Sequence, residues 1–448
     1  MEKKGYFTQG PVFGPLLRFA LPVLLAIFLQ TMYGAVDLLV VGQFGVAADV
    51  SAVSTGSQVM HTITIVINGL AMGVTVQLGR KIGEGKPEEA GQIAGSGIFL
   101  FTVAALIVTG GMLLAGPMTA RLLRAPAEAF DRTVAYIRIC ASGALFIVAY
   151  NLLGSMFRGL GDSVMPLLSV SIACVANILG DLLLVAVFHL GTVGAAWATV
   201  LAQGISVGLS LAIIRRRKLP FTLTGRDIRP QNGNIRRILR LGVPVAVQDL
   251  LVSVSFLAIQ AIVNRLGVMA SAGVGVAEKL CGFVMLVPSA FSQAITAFSA
   301  QNFGAGKPER ARRALRCGIL ASVIVGLLMA WLNFFHGDRM AGLFARDPQV
   351  IAAGAEYLKA YAIDCLLTAF FFCYVGYFNG RGNTMFVMIQ GIVGAFGVRL
   401  PVSYIMSRVQ PVSLFRIGLA TPASSLVQLL LCVGFMLITT KQRKPVKN

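Results

Sequence analysis

A chain of 448 residues with 56% hydrophobic and only 12% charged side chains stands well below the roughly 25% charged residues of an ordinary soluble domain. That excludes a soluble globular enzyme and places the chain in lipid. The formal net charge of +20 would suit nucleic acid, but the basic residues gather in short loops between apolar stretches, which excludes that reading too.

Those stretches are about 20 residues long, the length that crosses the hydrocarbon as a helix, and they leave no room for a separate soluble domain. They predict twelve spans, at 16–41, 50–76, 93–115, 130–152, 163–188, 192–214, 240–264, 273–298, 315–336, 352–376, 384–406 and 416–439. The opening MEKKGYFTQGPVFGPLLRF has no small-residue cleavage site after its apolar run, and that run is span-length, so it starts a first helix rather than a signal peptide. With the N-terminus cytoplasmic, the loops and tails on that side hold 26 of the 38 Lys and Arg, among them Arg215, Arg216, Arg217, Lys218 and the terminal KQRKPVKN. The opposite loops hold 8, and Arg138, Lys279, Lys359 and Arg399 fall in spans. This is the positive-inside pattern of a chain with both termini cytoplasmic, and it implies anionic inner-leaflet lipid as the partner rather than nucleic acid. The cysteines (Cys140, Cys174, Cys281, Cys317, Cys365, Cys373 and Cys432) lie nearly all in apolar spans, without metal-ligand spacing, and read as small packing residues.

Comparison of the chain with itself shows a duplication. FGAGKPERA at 303–311 repeats IGEGKPEEA at 82–90, and FNGRGNTMFVMI at 378–389 answers FRGLGDSVMPLL at 157–168, both at an offset of 221. RLGVPVAV at 240–247 answers RFALPVLL at 18–25 at an offset of 222. The expected organisation is a six-helix lobe at 1–214, a basic cytoplasmic linker at 215–239, a second six-helix lobe at 240–439 and a basic cytoplasmic tail at 440–448. Because each repeat has an even number of spans, both insert the same way round, the parallel-repeat arrangement of several secondary transporters with a central cavity between the halves.

The repeated GxGKPE loops invite a phosphate-loop reading, which fails twice. The early glycine is replaced by Arg80 or Gln301, and Pro87 or Pro308 stands where a hydroxyl residue is required. The better account is a tight turn with proline at the first helical position and Glu88, Glu89 or Glu309 in the first turn, where the helix dipole favours anions.

Taken together, LPVLLAIFLQTMYGAVDLLVVGQFG in the first span, the two GxGKPE loops, FRGLGD after the fourth span, and NILGDLLLV followed by GTVGAAWATVLAQ resemble the multidrug and toxic compound extrusion (MATE) transporters, especially their bacterial branches. The likeness covers essentially the whole chain. It implies an all-α membrane protein of twelve helices, located in the bacterial cytoplasmic membrane, that exports cationic or amphipathic drugs in exchange for Na+ or H+ and so confers antibiotic resistance. It implies no cofactor beyond that coupling ion, and the transporter is expected to act as a monomer.

Ionisable residues inside spans are costly and mark functional sites by default. Asp37 in the first span, Asp181 in the fifth and Thr199 in the sixth all lie roughly 6 to 11 Å below the outer surface at about 1.5 Å per residue. Asn177 lies one turn from Asp181 on the same helical face. Two carboxylates, an amide and a hydroxyl from three helices suit a small hard cation such as Na+, and equally a proton store. The resemblance places the same four residues in the cation site of the first lobe. In the second repeat Asp37 maps to Ile259, Asn177 to Val398 and Asp181 to Val402, so coupling is expected in the first lobe alone.

Asp249, Glu278 and Asp364 supply acids to the second lobe, where Asp249 and Asp364 lie near mid-membrane and would attract a cationic substrate. Glu278 stands beside Lys279 and reads equally as a snorkelling salt bridge. Gln30, Tyr33, Tyr136, Tyr374 and Tyr377 are the remaining candidates for the substrate cavity, the tyrosines as cation-π faces. His61, alone in its span, reads as structural. A flippase for a lipid-linked polar headgroup is the runner-up and requires a cavity rich in Arg and Lys, whereas an ion channel requires pore-lining elements repeated in both halves. Three isolated histidines, no nucleophile-and-base motif and no nucleotide loop give no sign of an enzyme.

Overall fold

The computed structural model describes residues 7–216, 219–221, 223–225 and 227–441. Arg217 and Lys218 of the linker and residues 442–448 of the basic tail lie outside the described residues. Among the described residues the chain is helical, with no strand. Its helices are α1 (Phe13–Phe44), α2 (Ala47–Gly83), α3 (Pro87–Leu122), α4 (Phe130–Ser142), α5 (Ala144–Leu160), α6 (Val164–Asp181), α7 (Gly191–Arg216), α8 (Asn232–Asn264), α9 (Val268–Val284), α10 (Leu286–Gly304), α11 (Pro308–Phe335), α12 (Gly337–Gly342), α13 (Pro348–Arg381), α14 (Thr384–Ile392), α15 (Leu400–Met406), α16 (Leu414–Gly418) and α17 (Ala420–Lys441). Eleven helical segments are long and apolar enough to cross a bilayer, and α4 and α5 make the twelfth, bent by 54°. The bend falls at Ser142 and Gly143, a pair of the kind that kinks helices. Gly143 has no Cβ there because Val200 of α7 occupies the space, its Cγ2 lying 2.6 Å from where that Cβ would stand.

The GxGKPE turns form as their residues require. Gly85 and Gly306 adopt positive φ of 72° and 69°, and Pro87 and Pro308 open α3 and α11. Glu89 in the first turn of α3 pairs with Lys81 at 2.7 Å and Lys86 at 3.1 Å.

The chain divides into two compact units. The first holds the stretch up to Gln9, Arg18–Ala246 and Ala300–Gly306, and the second holds Gly10–Leu17, Val247–Ser299 and the chain from Lys307 on. In the first, Ile67, Ala71, Val74 and Leu78 recur at helical spacing along one face of α2 and pack on Ile93, Ala94 and Phe101 of α3 and Val148, Leu152 and Met156 of α5. In the second, Tyr357, Leu358 and Tyr361 of α13 pack on Ile259 and Val263 of α8 and Val274 and Ala277 of α9. Short α16 is tied to α13 by Glu356 Oε1, which accepts from Ser413 Oγ at 2.5 Å and from the Phe415 N–H at 3.2 Å. The outer faces carry the apolar residues that lipid demands, such as Leu106, Ile107, Leu114 and Met118 on α3.

Gly143→Ala is expected to destabilise the protein by about 1–3 kcal/mol through overpacking, and Val200→Ala in the same chain should restore most of the loss. Thermal unfolding in detergent checks both.

Candidate cation site

The site is built in the first unit from α1, α6 and α7. Glycine and alanine let α6 and α7 approach closely, the usual device where helices meet in lipid. A Cβ on Gly180 would stand 3.0 Å from Ala198 Cβ, and one on Gly194 would stand 3.0 Å from the Leu184 carbonyl carbon. That approach sets Asp181 of α6 at the level of Thr199 on α7. Asp181 is also the last residue of the regular helix, because the next turn, Leu182–Val187, widens into a π-helix.

The four residues singled out by depth come together. Thr199 Oγ1 donates to Asp37 Oδ2 at 3.5 Å, while it also donates to the Ala195 carbonyl at 3.1 Å. Asp181 and Asn177 lie within electrostatic reach of Asp37. No hydrogen bond of sound geometry closes between them, so Asp37 Oδ1, both Asp181 oxygens and both amide atoms of Asn177 remain without a partner. Asp37 is 5% exposed, Asn177 1% and Asp181 0%. Buried polar atoms almost always have partners, so this group of carboxylate oxygens and the Asn177 amide marks a candidate cation site. Among the described residues no ion pair reaches either carboxylate, and no group of three or more His, Cys, Asp or Glu gathers anywhere. Two carboxylates with an amide and a hydroxyl therefore fit a monovalent hard cation or a proton.

Two of the tyrosines assigned to a substrate cavity adjoin this site. Tyr33 lies near Asp37 and Gln203, and Tyr136, buried in the core with Val40, Val41, Cys140, Ala195 and Ala196, lies near Asp37 and Thr199. Gln30 is half-buried one turn earlier on α1. Gln203, one turn beyond Thr199 on the same face of α7, escaped the sequence reading. Its Oε1 is buried without a partner, and the spacing of four from Thr199 was the signal that pointed to it.

A second missed residue is Asp49, at the start of α2. Its Oδ1 accepts from Thr192 Oγ1 at 2.6 Å and from the Thr192 N–H at 3.2 Å, and pairs with Arg132 Nη1 at 2.8 Å. Its Oδ2 accepts from the Val46 N–H at 3.3 Å. This clasp joins the starts of α2, α4 and α7. Gly191, at φ 51°, lets the chain pass close to the carboxylate.

In the second unit, Asp364 of α13 is 1% exposed and feels the charge of Arg399 and the hydroxyl of Ser425. Arg399 Nη1 donates to Ser255 Oγ at 3.1 Å, and the guanidinium lies 4.4 Å from the Phe256 ring centre. Glu278 lies near Tyr357 and Cys281 and makes no ion pair with Lys279 among the described residues; its Oε1 is buried without a partner. Asp249 is half-buried on α8, and no charged group acts on it. Tyr377 is buried edge-on to Phe378, and half-buried Tyr374 stacks on Phe378 at 6.2 Å.

Fold and site together define a multi-pass membrane transporter made of two six-helix repeats. The MatE family model matches residues 22–183 and again residues 244–405, one match to each repeat. The chain belongs to this family, the MATE multidrug efflux transporters, and is not an enzyme. It is similar to the probable multidrug resistance protein YpnP of Bacillus subtilis, with 28% identity over 90% of each chain. It is also similar to the multidrug export protein MepA of Staphylococcus saprophyticus, with 23% identity over 91% of this chain and 90% of that one. A MOP superfamily transporter from Pyrococcus furiosus has the same fold, with a TM-score of 0.92 over 99% of both chains at 22% identity.

The clasp yields a ranking of costs. Asp49→Ala strands the buried Thr192 hydroxyl and N–H and is expected to cost about 1–3 kcal/mol. Arg132→Ala removes only a half-exposed ion pair and is expected to cost less than about 1 kcal/mol. Thermal unfolding of the two variants side by side reads the order.

Proposed function

We propose that the protein is a cation-coupled antiporter of the bacterial cytoplasmic membrane, with both termini in the cytoplasm, that exports cationic or amphipathic compounds by alternating access. The observation that carries this reading is the set of buried carboxylate and amide atoms at Asp37, Asp181 and Asn177, most of which have no hydrogen-bond partner among the described residues.

In this reading the outward-open state takes up Na+ or H+ at Asp37 and Asp181, with Asn177 and Thr199 as the neutral ligands. Two adjoining carboxylates in a low-dielectric setting repel, and the bound cation removes that repulsion. With the charge gone, α1, α6 and α7 repack, the affinity of the first repeat for cargo falls, and cargo leaves outward. The wide turn after Asp181 and Pro22 within α1 are places where the backbone ladder is already altered, and so are the proposed points of bending. Cationic cargo is attracted by Asp249, Glu278 and Asp364, the last within electrostatic reach of Arg399. Tyr33 and Tyr374 offer ring faces to it, with Gln30 and Tyr136 nearby in the first repeat. Tyr377 contributes through packing.

Asp37→Asn is expected to bring coupled efflux in proteoliposomes to the protein-free level while the purified variant elutes and melts like the parent. Full efflux by the variant would sink the proposal. Gradients of Na+ and of pH imposed separately identify the coupling ion. Movement of a lipid-linked headgroup instead of cationic dyes would favour the flippase, and steady single-channel current would favour a channel.

A further inference from the structure

At the start of α11 a cleft of about 520 Å³ opens, lined by Pro11, Val12, Phe13, Arg313, Arg316 and Cys317. All of these belong to the second unit. One wall is held in place by Arg310, whose Nη1 donates to the Gly10 carbonyl at 2.6 Å. Arg312 is engaged by Glu309 at 2.6 Å. Arg313 and Arg316 are both exposed, one turn apart on one face, and no carboxylate pairs with either among the described residues. Two like charges so placed repel across a helical turn, and an anion between them would reverse the sign of that interaction. The same face continues as an apolar stripe through Leu320, Ile324 and Leu328 to Trp331, each at least half exposed. A doubly basic, apolar-walled cleft set at the end of a lipid-facing stripe has the two chemistries of a phospholipid, a phosphate-bearing headgroup and acyl chains.

The duplication shows that the frame does not require these arginines. At the offset of 221, Arg313 corresponds to Gln92 and Arg316 to Gly95. In the first unit the place beside Gly95 is filled by the linker, since a Cβ there would lie 2.5 Å from the Asp227 carbonyl carbon. In the second unit the equivalent place is open and basic.

We propose that this cleft binds the headgroup of one anionic phospholipid from the leaflet that faces the basic loops, with Arg313 and Arg316 on its phosphate and its acyl chains along Leu320 and Ile324. Basic pockets at this level are suited to anionic headgroups, each arginine adding to the attraction. Cys317 supplies a reporter in the cleft, because the other six cysteines are buried.

The test uses the full chain in detergent and in nanodiscs. Native mass spectrometry should show one retained phosphatidylglycerol on the parent. Retention should be roughly tenfold weaker or worse in R313Q/R316Q and unchanged in R339Q/R346Q, an exposed control pair beyond the far end of α11. Maleimide labelling of Cys317 in the parent should slow several-fold when phosphatidylglycerol replaces part of the phosphatidylcholine. Equal retention in R313Q/R316Q, equal loss in both double variants, or protection of Cys317 by inorganic phosphate as complete as that by the lipid would overturn the proposal.

Discussion

Two carboxylates set side by side in an apolar helical bundle, with no protein cation to balance them, are the constraint around which the first unit is arranged. Burying one unpaired charge costs several kcal/mol, and a lipid-embedded bundle has no bulk water to soften that cost. The site persists because its walls are fixed by groups that have no part in the charge. Gly180 and Gly194 lock α6 to α7 at backbone distance, the apolar cluster around Tyr136 and Val41 closes the other side, and the Asp49 clasp holds the helix starts. The free energy of those contacts maintains an arrangement that is unfavourable at its centre, which is the imbalance that the proposed coupling ion would relieve.

The second repeat solves the same packing problem without the charge. Ile259, at the position corresponding to Asp37, is 1% exposed and sits in the main apolar cluster of its unit. Where that repeat buries an acid deeply, at Asp364, the Arg399 guanidinium lies within electrostatic reach. In the first repeat, by contrast, no ion pair reaches Asp37 or Asp181 among the described residues. The turn glycines and helix-starting prolines are nevertheless shared by both repeats.

What was legible in the sequence follows from which forces act locally. Span positions follow from apolar length, and the turns from glycine and proline chemistry, so both could be read directly. The meeting of Asp37, Asp181 and Thr199 was legible because membrane depth is a one-dimensional quantity that counting residues supplies, and these residues share a level whatever the packing. Gln203 needed only the further step of one helical turn. The clasp was not legible, since Asp49, Arg132 and Thr192 lie far apart in sequence, and an acid at a helix start reads as an ordinary dipole partner. The sharp bend within 130–152 was equally hidden, because it depends on Val200 from another helix filling the space beside Gly143. The nearness of Arg399 to Asp364 was hidden for the same reason, since Arg399 ends the widened helical stretch between α14 and α15 while Asp364 lies on α13.

The clasp and the site are not independent features, because α7 carries part of each. Thr192, Thr199 and Gln203 are spaced by seven and four residues and therefore share one helical face, with roughly 10 Å between Thr192 and Thr199 along the axis. A regular helix transmits a shift along that distance without loss, so a displacement of α7 that opens the oxygens around Asp37 must also strain Thr192 against Asp49. On the opposite side Val193, Trp197, Leu201 and Ile205 are exposed, while Gly194 and Ala198 are held against the chain of α6 and the turn that follows it. The contacts that oppose a displacement of α7 are therefore the Asp49 clasp at its start and the close approach to α6 at Gly194 and Ala198.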